Sequence, residues 1–229
     1  QNNLKESYYY IQSIEERKQS EKAIKEALTE KNLLIAELHH RVKNNLAIIS
    51  GLFSLTINDN LHEDAKNVLL ESRNRVRSMA LIHNRLYKSD SFTDVNFDEY
   101  THELVSEITT SYPSISNAIN VKTDINNVIL NVNSAIPCGL ILNELLTNAY
   151  KHAFKDKTEG EISISFLHQN GQYVMTVEDN GCGLPLDYNK KQSLGITVIE
   201  ALTEQLDGKS KFSDNQGTHF ELIFKANNN

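Results

Sequence analysis

The sequence has no tryptophan, only three prolines and two cysteines, and a net charge of −7 over 229 residues. The thiols of Cys138 and Cys182 form no CxxC pair and suggest no disulfide framework, which favours a reducing cytosol. No window approaches about 18 uncharged apolar residues, and no basic segment precedes an apolar core, so neither a membrane span nor a signal peptide is predicted. The acidic balance argues against binding to nucleic-acid phosphates.

Glycine and proline are absent or scarce in one half of the chain. Residues 1–112 contain no proline and one glycine, Gly51, whereas residues 113–229 carry all three prolines and eight glycines. Because these two residue types mark turns, the first half is predicted to form long helices and the second a domain of strands and turns.

Apolar residues in the first half repeat every seven positions. The two series are Leu28, Ile35, Val42, Ile49 and Ile24, Leu38, Leu52. This seam is typical of a coiled coil or helical bundle. A polar break at 58–60 precedes a second periodic run that ends near residue 87, which predicts an antiparallel helical hairpin. A lone hairpin cannot cover its own apolar stripe, so a homodimeric four-helix bundle is expected.

The second half predicts an α+β layer, a sheet with helices on one face. The expected strands are 118–125, 128–132, 161–168, 173–179, 211–213 and 219–224. The expected helices are 97–112, one ending at Phe154, and 195–207. Ser134 is the expected cap of the middle helix, with Pro137 in its first turn. Residues 88–96 are interpreted as a polar connector.

Two histidines, His39 and His40, lie on the first predicted helix. His40 is expected to point outward, with Glu37 at i−3 and Asn44 at i+4 on the same face. A carboxylate there can hold the histidine ring in one tautomer and accept its proton, which leaves the other nitrogen nucleophilic. From spacing alone, a solvated histidine in a charged stretch is the more economical interpretation. His39 lies nearer the seam and is expected to pack or cap.

A polar stripe follows the middle helix of the second half. Glu144, Asn148 and Lys151 stand at i, i+4 and i+7, and an acid, an amide and a cation on one face suit a hydrated Mg²⁺ that carries phosphates. A solvent-facing stripe of an amphipathic helix explains the same spacing equally well.

Glycines accompany two further points of the second half. Asp179 ends a strand and is followed by Gly181 and Gly183, which let the backbone approach a ligand closely. Gly195 precedes a helix whose N-terminal amides favour anions such as phosphate, although it also fits a simple tight turn. Each signal is weak when taken alone.

The joint order of these segments is more specific than any one of them. The segments are ELHHRVKNNL, PCGLILNELLTNAYKHAF, VEDNGCGLP, SLGITVIEALTEQLDG and GTHFELIF. Together, over residues 31–225, they resemble a sensor histidine kinase. HHRVKNN resembles the phosphoacceptor box of the second HisKA class, which is related to the HWE kinases. The second half resembles the Bergerat-type (GHKL) ATP-binding fold shared with gyrase and heat-shock protein 90.

The resemblance implies a role for each candidate residue. His40 would accept the γ-phosphoryl of ATP, Asn148 would bind Mg²⁺, and Asp179 would accept the adenine amino group. Glu144 occupies the position of an acidic residue that can orient water. The other implied nucleotide-site residues are Gly181 and Gly183 in the pocket, Gly195 beside the lid and phosphates, Thr218 supporting adenine through water, and Lys151 and His152 facing phosphates or lid.

The sequence departs from the family pattern near the phosphoacceptor. The commonest histidine kinases have an acidic residue directly after that histidine, whereas here it is Arg41, so Glu37 is the candidate base on face geometry alone. Asn44 is a hypothetical holder of the water that dephosphorylates a regulator. The lid stretch 184–194 is short and lacks the phenylalanine-bearing box of many relatives.

Three segments are expected: a signalling coiled-coil linker over 1–30, a dimerisation and histidine phosphotransfer domain over 31–92, and an ATP-binding domain over 93–229. The resemblance implies a homodimer, a response-regulator partner and an upstream sensory domain that this stretch lacks. The missing initiator Met is interpreted as the mark of a fragment. A cytoplasmic location is expected, with no nucleic-acid or membrane contact in this stretch and room for a membrane anchor in the full-length protein.

Two other functions remain open from the sequence. One is a non-enzymatic interaction module that uses nucleotide only as a conformational ligand. The other is an ATPase that hydrolyses ATP with water activated by Glu144, with His40 incidental. Both would leave the protein without an acid-labile, base-stable phosphoryl label.

Overall fold

The computed structural model describes residues 2–57, 62–88, 94–112, 118–155, 157, 159–183, 194–214 and 216–225. Within these ranges the chain forms five α-helices and seven strands. The division into a helical first half and a mixed second half, predicted from the distribution of glycine and proline, is confirmed.

The first half is a hairpin of two helices. Helix α1 (Asn2–Ile57) has 56 residues, a length of about 84 Å at 1.5 Å per residue. Helix α2 (Glu63–Lys88) packs against its C-terminal part. The predicted polar break at 58–60 falls outside the described residues. Several seam residues of α1 remain more than half exposed, including Ile24, Leu38 and Leu52.

A small two-stranded sheet opens the second half. Strand β1 (Asp94–Asn96) pairs antiparallel with β3 (Ile129–Asn131), so the prediction of a connector up to residue 96 is wrong for its last three residues. The pairing forms because Val95 is buried opposite Leu130, although so short an apolar signal is invisible in a polar stretch. Helix α3 (Phe97–Ser111) begins directly afterwards.

The main sheet has five strands in the order β2-β4-β5-β7-β6. These strands are β2 (Ile119–Ile125), β4 (Gly160–Gln169), β5 (Gln172–Asp179), β6 (Lys209–Asp214) and β7 (Thr218–Lys225). Only the β2–β4 pair is parallel among the described strands. Ile162, Ile164 and Phe166 are buried, while alternate residues of β4 stay partly exposed. This alternation gives the predicted sheet one core face.

Helix α4 (Val132–Asn148) is the buried centre of the second half. Its cap is not Ser134, as predicted, but Asn131, whose side-chain oxygen accepts the Ser134 backbone N–H at 3.0 Å. Asparagine is at least as good a cap as serine, and here it ends strand β3 directly before the helix. The helix therefore begins earlier than expected, and Pro137 stands beyond its first turn. A π-helical turn, Ala149–Ala153, continues it.

Helix α5 (Leu194–Gln205) lies beside α4 and begins within one residue of its predicted start. None of the helices in the described ranges is both long and apolar enough to cross a membrane.

Helix α2 packs along α4 and joins the two halves. Ser78 Oγ lies 2.6 Å from the Tyr100 hydroxyl of α3 and 3.4 Å from the carbonyl oxygen of Gly139 on α4. Tyr100 and Ile82 are fully buried, and burial raises the pKa of the tyrosine hydroxyl far above its ordinary value. The hydrophobic core therefore extends from the sheet domain to one face of the hairpin.

Candidate functional site

Asp179 organises the end of strand β5. One of its oxygens, Oδ1, accepts the backbone N–H of Gly181 at 2.8 Å and that of Thr218 at 3.3 Å. Two donors on one oxygen fix the carboxylate and leave Oδ2 to accept from a ligand. The structure thus brings together three residues that the family resemblance assigned to one nucleotide site.

Small residues are required around this carboxylate. A Cβ on Gly181 would overlap the side chain of Ala153, whose carbonyl accepts the Cys182 backbone N–H at 2.9 Å. Gly217, with φ 149°, lies so close to the Asp179 carbonyl that any side chain would collide with it. Gly217 was not among the candidate residues from the sequence, although its position directly before the candidate Thr218 could have indicated it. Gly183, with φ 75°, approaches Asp214 of β6.

A second group of polar residues lies where α4 meets the start of α5. A Cβ on Gly195 would stand 3.0 Å from Glu144 Oε2 and 3.7 Å from Asn148 Nδ2, so these three candidate residues lie close together. Glu144 is only 5% exposed. The alternative of a solvent-facing stripe is therefore wrong for this residue.

Helix α2 supplies the partners of two residues in this region. Arg75 binds both carboxylate oxygens of Glu144, with Nε 2.6 Å from Oε1 and Nη2 2.8 Å from Oε2. The Lys151 ammonium lies 2.6 Å from Glu71 Oε1. Neither partner was predictable, because nothing in the spacing of α2 links it to a helix about 70 residues away. The hydrogen bond to Glu144 is the largest effect on the Arg75 pKa and raises it.

A cavity of about 410 Å³ opens between α2, the end of α3 and the π-helical turn. Its lining includes Glu71, Tyr112, Lys151 and His152. Partial burial, then the charges of Lys155 and Lys151, lower the pKa of His152. Burial first, and then the charges of Glu71 and Glu144, raise the pKa of Tyr112 to about 12. Both groups are therefore uncharged near neutral pH.

The predicted phosphoacceptor region lies on α1. His40 is half-buried, while Glu37, Arg41 and Asn44 are exposed. Glu37 Oε1 accepts from Arg41 Nε at 2.8 Å, so the candidate base is paired with the arginine that follows the histidine. This pair is exposed, and such pairs contribute little to stability.

His39 faces the other helix of the hairpin, in agreement with its predicted packing role. Its Nδ1 lies 3.1 Å from Nδ1 of His83 on α2, with the ring centroids 5.4 Å apart. Burial, and then the neighbouring His39, lower the pKa of His83. This contact also sets the position of His40 along the axis of α2, near the level of His83. His83 and Arg75 are eight positions apart, about 12 Å along the helix axis.

A histidine-bearing hairpin joined to a helix-covered mixed sheet, with a carboxylate site at the end of one strand, defines the core of a histidine kinase. Two family models match the chain: "Histidine kinase" (HisKA_2) over residues 37–112 and "Histidine kinase-, DNA gyrase B-, and HSP90-like ATPase" over residues 133–228. Together they cover most of the described chain. The chain belongs to the histidine kinases, in the second HisKA class.

Relatives support this assignment. The sensor histidine kinase PdtaS of Mycolicibacterium smegmatis is 33% identical over 192 residues, covering 82% of this chain and 38% of the relative. Blue-light-activated histidine kinase 2 of Erythrobacter litoralis is 28% identical over 185 residues, covering 78% of this chain and 52% of the relative. The chain thus spans between about a third and a half of the length of these relatives.

A solved structure has the same architecture. The histidine kinase domain of a blue-light-activated kinase from Erythrobacter litoralis superimposes with a TM-score of 0.64 at 25% identity, covering 84% of this chain and 90% of that one. The order of hairpin and ATPase domain is therefore shared.

Proposed function

We propose that this chain binds ATP, transfers the γ-phosphoryl group to His40, and passes it to an aspartate of a response regulator. The observation that carries this proposal is the Asp179 carboxylate, fixed by the Gly181 and Thr218 backbone amides, in the same chain as a half-buried histidine on a hairpin. The proposed division is a linker over 1–30, a dimerisation and phosphotransfer domain over 31–92 and an ATP-binding domain over 93–229.

Asp179 would recognise adenine. Its Oδ2 can accept the exocyclic amino group while Oδ1 keeps its two backbone donors. Gly181, Gly183 and Gly217 let the backbone fold closely around this carboxylate, because a Cβ at each would meet Ala153, Asp214 or the Asp179 carbonyl. Thr218 is placed to support adenine through a bridging water.

Asn148 would bind Mg²⁺ through its amide oxygen. Hard oxygen ligands suit this ion, which usually keeps several waters and binds phosphates as further ligands. When bound, Mg²⁺ would neutralise charge on the transferring phosphoryl group. Gly195 lies close enough to Asn148 and Glu144 to border the same phosphates, while Lys151 and His152 stand one turn further along.

The proposed chemistry at His40 is a nucleophilic displacement. A ring nitrogen lone pair attacks the γ-phosphorus, the bond to the bridging oxygen breaks, and ADP leaves with that electron pair. The other ring nitrogen then loses its proton to a carboxylate, for which Glu37 is the candidate on its face of α1. Positioning of the phosphoryl group supplies most of the catalysis.

The second proposed step takes place on the same surface. A regulator aspartate would attack the phosphorus of phosphohistidine that is protonated on its other ring nitrogen. The P–N bond would break with its electron pair going to nitrogen, which regenerates neutral His40. Asn44, exposed one helical turn further along, is proposed to orient a water toward the resulting acyl phosphate during dephosphorylation. An amide can donate and accept hydrogen bonds without ionising, so it would position the water and not act as a base.

A homodimer is part of the proposal. Ile24, Leu38 and Leu52 on α1 are 68%, 63% and 57% exposed in the single chain. A second copy that completes a four-helix bundle would cover this apolar seam. An upstream sensory domain would act through the long N-terminal part of α1.

ATP hydrolysis is the second candidate function. Its support is Glu144, buried beside Asn148 at the position where it could orient water. Incubation with γ-labelled ATP separates the candidates. Acid-labile, base-stable label on the protein supports the kinase, whereas phosphate release without such label supports the ATPase. Nucleotide binding with neither product would favour an interaction module.

A further inference from the structure

Four charged side chains form a continuous chain between the hairpin and the ATP-binding half. Lys151 contacts Glu71 at 2.6 Å, Glu71 lies 3.8 Å from Arg75, and Arg75 binds Glu144 at 2.6 Å. The charges alternate in sign along this chain. The two middle residues lie on α2, and the two ends lie on α4 and its π-helical turn.

The Arg75–Glu144 pair is the strong part of the chain. Its side chains are only 14% and 7% exposed, and both carboxylate oxygens accept from the guanidinium. Bidentate, charge-assisted bonds of this kind are about twice as strong as neutral ones. The Lys151–Glu71 pair is more open, with side chains 22% and 31% exposed, so it contributes less.

Glu144 and Lys151, the two ends of this row of ion pairs, both have roles in the proposed function. Glu144 borders Asn148 and Gly195 at the proposed phosphate site, and Lys151 is expected to face phosphates or lid. In this structure α2 neutralises each of them, the carboxylate with Arg75 and the ammonium with Glu71. Neither charge is directed to a nucleotide while these contacts hold.

The same contacts hold the ATP-binding half away from His40, the proposed phosphoacceptor. His39 contacts His83, so the adjacent His40 lies near the level of His83 on α2. That level is about 12 Å from Arg75 along the helix axis. If the two-fold axis of the bundle runs parallel to the helices, the histidine of the second copy lies at the same position along that axis. Because Arg75 holds Glu144 about 12 Å along α2 from the level of His40, α4 must shift along or away from α2 to bring a phosphoryl group beside Asn148 closer to either histidine.

We propose that Glu71 and Arg75 form a resting-state latch that restrains autophosphorylation until the hairpin moves. The inference rests on the proposed function, because it concerns regulation of that same site. A change in α1 that rotates or displaces α2 would separate Arg75 from Glu144 and free the ATP-binding half. The linker over 1–30 is the segment through which such a change would arrive.

Two variants test the latch, with a matched control. Arg75→Gln removes the charge but keeps one hydrogen-bond donor for buried Glu144, and Glu71→Gln weakens the other pair while leaving Arg75–Glu144 intact. Arg77→Gln removes the same charge from an exposed position of the same helix. For each 229-residue chain, the initial rate of acid-labile labelling is measured together with backbone hydrogen exchange over 132–153.

The latch predicts that Arg75→Gln labels roughly threefold to tenfold faster than the unaltered chain, with a smaller gain for Glu71→Gln and none for Arg77→Gln. Exchange over 132–153 should also become faster in Arg75→Gln, while exchange in β4 and β5 stays unchanged. Slower labelling by a folded Arg75→Gln chain would overturn the latch and make Arg75 a residue that the reaction needs.

The exchange measurement separates failure of the latch from failure of the proposed function. If no chain acquires label but exchange becomes faster in Arg75→Gln, the restraining contact stands and the kinase proposal falls. If exchange over 132–153 is unchanged, the latch is wrong whatever the labelling shows. Should Arg75→Gln fail to fold, Glu71→Gln decides: unchanged labelling and exchange in that variant overturn the proposal.

Discussion

Arg75 on α2 binds both carboxylate oxygens of Glu144 on α4, at 2.6 Å and 2.8 Å. The contact couples the histidine-bearing hairpin to the helix that carries Asn148, the proposed Mg²⁺ ligand. Replacing Arg75 alone would leave the buried Glu144 carboxylate uncompensated in this docked arrangement, so the substitution is expected to disfavour docking. Movement of the hairpin and access to the nucleotide site are therefore linked physically.

Asp179→Asn should weaken adenosine and ATP binding by roughly tenfold to a hundredfold. The asparagine oxygen would keep the two backbone donors, which turns the amide N–H₂ toward the adenine amino group and sets donor against donor. Calorimetry with adenosine gives the affinity. Glu178→Gln is the control, since that neighbour pairs instead with His219 at 2.6 Å. Equal adenosine affinity in Asp179→Asn and the unaltered chain would exclude Asp179 as the adenine acceptor.

Asn148→Ala should weaken binding of Mg²⁺-ATP and leave adenosine binding nearly unchanged. The substitution removes an oxygen ligand of the metal but no contact to the base. Titration of ATP with and without Mg²⁺ should show that the metal no longer improves affinity to the same extent. A parallel loss of adenosine affinity would contradict the division of roles between Asn148 and Asp179.

Replacing Leu38 and Leu52 together by Glu should convert a dimer into a monomer. Both side chains are more than half exposed on the seam of α1, and two like charges per chain would meet across the bundle. Light scattering measures the mass. Lys43→Glu, on the same helix but off the seam, should remain dimeric. A monomeric unaltered chain would contradict the four-helix bundle.

Stability should fall on acidification through the titration of His83. Burial, and then the neighbouring His39, lower the pKa of His83 from its ordinary value of 6.5 in the folded chain. Below pH 6.5 the unfolded chain therefore binds the proton more readily than the folded chain. Stability is therefore fully present above about 6.5 and is lost as the pH falls through the lowered pKa of the folded state. The midpoint temperature of thermal unfolding should fall as the pH is lowered from about 7.5 to about 5.5. The fall should be less steep in His83→Gln. Equal slopes would show that this histidine does not drive the loss.

Much of the architecture was predictable because its signals are local or repeat along the chain. The seven-residue seam predicted the hairpin, and the strands expected over 161–168 and 173–179 correspond to β4 and β5, which the structure pairs. Asp179, Gly181 and Thr218 were grouped by resemblance, and the structure brings them into contact. The pairs Arg75–Glu144 and Glu71–Lys151 were not predictable, since they join distant helices and each residue alone reads as an ordinary exposed charge. The Asn131 cap was missed because strand and helix abut without a loop.

The proposed kinase function depends most directly on which histidine carries the phosphoryl group. The chain, His40→Gln and His39→Gln are incubated with γ-labelled ATP, and acid-labile, base-stable label is quantified alongside ADP affinity. We expect His40→Gln to lose all such label with unchanged ADP affinity, because this ring is the acceptor and lies on a different element from the nucleotide site. His39→Gln should keep substantial label, since that ring contacts His83 inside the hairpin. Retention of label by His40→Gln, or its loss only in His39→Gln, would contradict the assignment.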